Sequence, residues 1–185
     1  QQARFWPKIF RERGYHTAQI GKWHTGTDAG FGRDWDHQIV WNRPKHPENA
    51  GAYYDNQLLA VNGEEKTVKG YSTDNYTQWA VDYIRGQHRD PAKPWYLWLC
   101  YGGVHSPYTP ADRHKQDYAG AKVPTPADIY PPRPGKPDYM QKINTWAPGP
   151  KGEPVLRTSA KGKEVGDDET MGKGRTLSDW VVQYN

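Results

Sequence analysis

The run Trp95-Tyr96-Leu97-Trp98-Leu99-Cys100-Tyr101 lies between Pro94 and Gly102-Gly103 and has no charged or strongly polar position on either face. Side chains alternate between the two faces of a sheet, so such a strand must be covered on both. It reads as a central strand of a parallel sheet with helices laid over it. A suitable helix precedes it, in which Ser72 or Thr73 can cap and Tyr76, Trp79, Ala80, Tyr83 and Ile84 form one apolar stripe that Gly86 closes. Near the start, residues 4–13 place Phe5, Ile9 and Phe10 at helical spacing, with Pro7 tolerated in the first turn, and Gly14 stops them. Residues 15–21, with Thr17, Ala18 and Ile20, then read as a strand ending at Gly21. Strand, helix and strand alternate, so the fold class is α/β, a mixed sheet with helices packed on it. Residues 28–70 are irregular except for Asn62-Gly63, the turn of a hairpin joining 58–61 to 66–68.

From Val123 to about Gly174 the chain turns to Pro, Gly and Lys, as in Pro131-Pro132-Arg133-Pro134, the composition of a long loop or linker. A last helix begins near Ser178, with Trp180 and Val181. Mean hydropathy is low at -1.07, yet 9 Trp and 13 Tyr supply enough large apolar surface to argue against general disorder. The net charge of +4 is spread without a dense basic cluster, which argues against nucleic acid and permits a sulfated or phosphorylated small ligand. A lone cysteine, Cys100, cannot close an internal disulfide and reads as a core residue. No apolar stretch approaches the ~20 residues of a membrane span, and the start, at Gln1, reads as a truncation rather than a signal peptide.

Two segments lie where an open α/β sheet places ligands, beyond the carboxyl ends of strands. In Gly21-Lys22-Trp23-His24, strand alternation puts Lys22 and His24 on one face and Trp23 on the other. In Gly102-Gly103-Val104-His105-Ser106-Pro107, the glycines allow a sharp turn and a close approach, and Pro107 stiffens the exit from His105. Taken singly, a Lys-x-His is ordinarily a surface pair and a loop histidine is ordinarily structural. Together, an ammonium with three donors and two imidazoles suit a tetrahedral oxyanion and proton delivery to an ester leaving group.

These residues carry a resemblance. Gly14-Tyr15-His16-Thr17-Ala18-Gln19-Ile20-Gly21-Lys22-Trp23-His24-Thr25-Gly26 resembles the second signature of the sulfatase family, and the run from Pro94 to Tyr101 followed by His105-Ser106-Pro107 resembles that family's later strand and turn. Gly70-Tyr71-Ser72-Thr73-Asp74 resembles the segment before the helix between them, so the likeness covers roughly Phe5 to Pro110. It implies a partial alkaline-phosphatase-like sandwich with a long Pro/Gly-rich loop region. On that basis residues 1–122 are part of the catalytic domain, 123–175 a loop or insertion, and 176–185 the start of a further helix.

The resemblance further implies hydrolysis of a sulfate ester of a small molecule or glycan, with a Ca2+ or Mg2+ ion and a formylglycine nucleophile. Lys22 would bridge the sulfate and the nucleophile, His24 would orient the nucleophile, and His105 would hold the sulfate and protonate the leaving oxygen. The chain departs from the family pattern in having no Cys/Ser-x-Pro-x-Arg motif and no matching context for the metal ligands; Cys100, followed by Tyr101-Gly102-Gly103, is not that residue, and Asp167-Asp168 reads as a solvated pair. It therefore reads as an internal fragment, inactive alone, with metal ligands and nucleophile elsewhere and export expected from the family only. Two rivals stand beside it: a phosphoester or phosphonate hydrolase of the same superfamily, and a carbohydrate-binding module stacking sugars on Trp35, Trp41 or Trp146.

Overall fold

The computed structural model describes residues 5–49, 51–105, 109–118, 121, 124, 126, 128–158 and 161–163. The chain divides into two compact units, Gln1–Pro107 and Tyr108–Asn185. The first holds a five-stranded mixed sheet and two helices. Helix α1 (Trp6–Glu12) carries Pro7 in its first turn, where a missing N–H costs nothing, and Gly14 follows it at a positive φ of 86°. Strand β1 (His16–Trp23) runs on through Gly21 to Trp23, two residues beyond the expected end. After it come β2 (His37–Asn42), β3 (Asp55–Val61), β4 (Glu64–Tyr71), helix α2 (Ser72–Ile84) and β5 (Trp95–Cys100).

The strand order is β4-β3-β2-β1-β5, with β1 parallel to both β2 and β5 and the β3–β4 hairpin antiparallel. Asn62 and Gly63 both adopt positive φ, as the tight hairpin turn demands. Strand β5 was expected at the centre, but among the described residues it pairs only with β1 and its side chains are half-buried or exposed. Its two apolar faces have separate reasons. Tyr96 and Trp98 meet Trp6, Phe10 and Phe5 on the α1 side, while Leu97 and Leu99 pack against the cluster of Ile20, Ile39, Trp41, Tyr53, Tyr54, Leu59, Tyr76 and Ala80 on the α2 side.

The central strands are β1 and β2, and sequence reading missed β2. All six of its residues are buried, although three are polar. Gln38 Nε2 donates to the Ala29 carbonyl at 2.7 Å and Asn42 Nδ2 to the Thr27 carbonyl at 2.8 Å, so their polar ends are satisfied by the preceding loop. Helix α2 differs from expectation at both ends. Its N-cap is Tyr71, without a side-chain cap, and Ile84 is 49% exposed, so the buried stripe is Tyr76, Ala80 and Tyr83.

At the amino ends of β1 and β2, three imidazoles gather around Tyr83. The Tyr83 hydroxyl donates to the His16 carbonyl at 2.9 Å and lies 3.0 Å from His16 Nδ1, and the His37 ring stacks on both Tyr83 and His88. Burial, then the charges of His88 and His16, push His37 down to about 4; burial also lowers His16, against the pull of Asp36. An imidazole whose folded pKa lies below its unfolded value of about 6.5 takes up a proton more readily when unfolded, so stability falls as pH drops from about 6.5 to about 4. We expect His37 alone to remove about 3 kcal/mol across that window. Urea midpoints measured against pH should flatten in His37→Phe; an unchanged slope would exclude His37 as the cause.

The second unit contains, within the stretch read as loop, a short antiparallel ribbon of β6 (Trp146–Pro148) and β7 (Pro154–Leu156). The Arg133 guanidinium donates to the carbonyls of Ile129, Met140, Ile143 and Asn144 and so gathers a Pro-rich segment that has little apolar area to bury. The last helix expected near Ser178, and Asp167-Asp168, lie outside the described residues.

Candidate functional site

Lys22 sits next to last on β1, in register with Trp41 of β2. Period-2 alternation sends Lys22 to the α2 face with Ile20, while Trp23 enters the aromatic cluster on the other face, edge-on to Phe5 and Trp98. Trp23 Nε1 donates to the Gly26 carbonyl at 3.0 Å, which folds back the chain just past the strand. His24 stands exposed one residue beyond β1.

The close contact between β1 and β5 explains Gly21. Its φ is +108°, and a Cβ built there would lie 1.8 Å from the Cys100 carbonyl oxygen. Gly102 has a different role from the one expected, since its bare backbone admits the Tyr53 carbonyl, 2.8 Å from a Cβ at that position, rather than a ligand.

Tyr53 is the centre of the site. Its buried ring carries the His105 imidazole stacked at 3.8 Å with planes 7° apart, has Lys22 Nζ 5.0 Å from its centroid, and meets Trp41 edge-on at 4.8 Å. Lys22 and His105, on the tips of neighbouring strands, therefore converge on one ring. His24 is not among the groups that meet it, and Ser106 and Pro107 lie outside the described residues.

The support beneath that ring is polar. The Tyr53 carbonyl accepts from Ser72 Oγ at 2.8 Å, the Tyr54 carbonyl accepts from the Ser72 N–H, and Tyr54 Oη donates to the His105 carbonyl at 2.6 Å. Ser72, expected to cap its helix, instead ties the start of α2 to the segment holding His105. Gln57 Nε2 donates a hydrogen bond to the Ala52 carbonyl, and its Oε1 accepts from Tyr76 Oη. Tyr53 and Tyr54 fall in the stretch that reads as irregular. Their only sequence signal is an adjacent aromatic pair, which does not indicate which loop it will meet.

The electrostatics favour an anion. Burial lowers the Lys22 pKa, and the neighbouring Arg43 guanidinium lowers it further. Burial raises the Cys100 thiol pKa, the opposite of the shift that activates a nucleophilic cysteine. The described residues also contain no group of three or more His, Cys, Asp or Glu able to hold a metal ion. An ammonium and an imidazole set against one ring are the group types that suit a tetrahedral oxyanion and the passage of a proton.

Comparison with known proteins gives a consistent result. The family model for Sulfatase matches residues 5–152. The chain is 32% identical over 125 residues to the N-acetylglucosamine-6-O-sulfatase of Bacteroides thetaiotaomicron, a match covering 67% of this chain and 21% of that protein. It is 30% identical over 151 residues to the uncharacterized sulfatase YdeN of Escherichia coli K12, covering 68% and 26%. Among solved structures, BT4656 in complex with its substrate D-glucosamine-2-N,6-O-disulfate superposes with a TM-score of 0.58 at 26% identity, over 69% of this chain and 24% of that one. The sulfatase yidJ of Bacteroides fragilis, described as putative, has a TM-score of 0.54 at 21% identity, over 77% and 35%, and is similar in fold. The chain thus spans between a fifth and about a quarter of the length of the curated relatives named here.

Proposed function

Because this chain belongs to the sulfatase family, we propose that it contributes the sulfate-binding and proton-transfer side of the active site of a sulfuric ester hydrolase. The observation that supports the reading most is the convergence of Lys22 and His105 on the Tyr53 ring at the carboxyl ends of β1 and β5. Lys22 neutralises the sulfate oxygens. His105 donates to the sulfate and gives its proton to the ester oxygen as the S–O bond breaks, so that an alcohol rather than an alkoxide departs. His24, exposed beside the strand end, is free to turn toward a nucleophile supplied from outside this chain. The formylglycine and the Ca2+ or Mg2+ ion of the family belong to that outside part, since the Cys/Ser-x-Pro-x-Arg motif is absent here and the described residues hold no metal cluster.

The substrate class is a sulfated carbohydrate or aryl sulfate; two of the relatives named above, the N-acetylglucosamine-6-O-sulfatase and BT4656, have a sulfated sugar in their printed names. The test is hydrolysis by the full-length protein of a sulfate ester and of the phosphate ester of the same alcohol. A clear preference for sulfate is expected, and faster phosphate hydrolysis would replace this reading with a phosphoesterase. No helix among the described residues is long and apolar enough to cross a membrane.

A further inference from the structure

Two consecutive tyrosines grip His105 at different points. The Tyr53 ring lies flat against the imidazole, and Tyr54 Oη donates to the His105 carbonyl at 2.6 Å. The His105 N–H is engaged as well, by the Gly102 carbonyl at 3.1 Å. Tyr54 also touches the turn that leads to His105, since a Cβ on Gly103 would stand 3.7 Å from its ring. Both tyrosines are buried whereas His105 is exposed, so groups fixed in the interior hold a residue of an exposed turn. Their own positions are set by Ser72 at the start of α2, whose Oγ and N–H engage the two tyrosine carbonyls.

Gly102 and Gly103 stand just before His105, and glycine is the residue with the most backbone freedom to lose. An imidazole carried on such a turn reaches many positions, whereas proton delivery demands one of them. A buried tyrosine hydroxyl needs some acceptor, so the hydrogen bond of Tyr54 would say little by itself. Its acceptor, however, is the carbonyl of the very residue whose ring rests on Tyr53, so backbone and ring of His105 are fixed by neighbours in sequence. Because His105 is exposed, water can replace that hydroxyl, and the bond supplies position more than stability.

We propose that Tyr54 is a positioning residue for proton delivery, its hydroxyl fixing the His105 backbone so that the imidazole stays on the Tyr53 ring. The proposal rests on the reading of His105 as proton donor to the leaving oxygen and adds the group that orients it.

The test uses the full-length protein with Tyr54→Phe, which keeps the ring and removes only the hydroxyl, alone and combined with His105→Gln. Tyr54→Phe should lower kcat/KM for a sugar sulfate about tenfold and by much less for a nitrophenyl sulfate, the pattern of a displaced proton donor. In the His105→Gln background it should add nothing, because a hydroxyl that acts through the imidazole then has nothing to act on. The His105 ring protons, shifted by the stacked Tyr53 ring, should move toward their unstacked resonances in Tyr54→Phe while the melting temperature stays close to wild type. Unchanged rates on the sugar sulfate or unmoved His105 resonances would overturn the proposal, as would equal losses on both esters or losses that multiply in the double variant. His105→Gln with the same loss on both esters would remove the proton donor and the proposal with it, leaving the sulfatase reading intact. Absent hydrolysis of both esters by wild type would remove that reading too.

Discussion

Gly21→Ala is expected to destroy the folded sheet. The methyl would need to occupy a point 1.8 Å from the Cys100 carbonyl oxygen, and that oxygen belongs to the backbone of a paired strand, so it cannot swing away as a side-chain end could. The positive φ of 108° adds strain that alanine resists. Together they should cost more than about 4 kcal/mol, a large part of the 5–15 kcal/mol that typically holds a domain together. Gly26→Ala is the control, because its φ of +112° is equally unusual but no atom lies within 4 Å of the added carbon. It should cost only the backbone strain, about 1–3 kcal/mol. Urea unfolding and soluble yield compare the two, and similar midpoints would show that the collision at Cys100 is relieved without loss.

The second large effect is catalytic and separates the two groups on the Tyr53 ring by chemistry. On the proposed role of Lys22 at the sulfate, Lys22→Met in the full-length protein should lower kcat/KM by about 10²–10⁴ for any sulfate ester. His105→Gln should lower it by a similar factor for a sugar sulfate, whose alkoxide is a poor leaving group, and by much less for a nitrophenyl sulfate, whose phenolate departs without a proton. Thermal melting should stay close to wild type for both, because Lys22 is half-buried and His105 exposed. A His105 effect independent of the leaving group would limit this residue to sulfate binding.

Much of the architecture was readable because it obeys local rules. Helix α1 announces itself by spacing and a terminal glycine, the hairpin by Asn62-Gly63, and β5 by continuous apolarity. Strand β2 was invisible for the opposite reason, since His37, Gln38 and Asn42 are buried, Gln38 and Asn42 against loop carbonyls and His37 against Tyr83 of α2, partners that no local pattern connects to them. Among the described residues β5 has one strand neighbour, and its apolarity on both faces reports what packs above and below it rather than how many strands flank it. In the site, Lys22 and His105 stood at strand ends where ligands are expected, whereas Tyr53 and Tyr54 depend on which strands become neighbours. That is set by sheet order, which has no short-range signature.

The opposite destinations of Lys22 and Trp23 have a consequence for how this segment can vary. Inserting or deleting one residue within β1 would exchange them, driving an ammonium into a wall of indoles and presenting an indole to the incoming anion. Chain length before the strand end is therefore frozen. The stretch between β1 and β2 is tied down in another way, through the Thr27 and Ala29 carbonyls that Asn42 and Gln38 hold and the buried ring of Trp35.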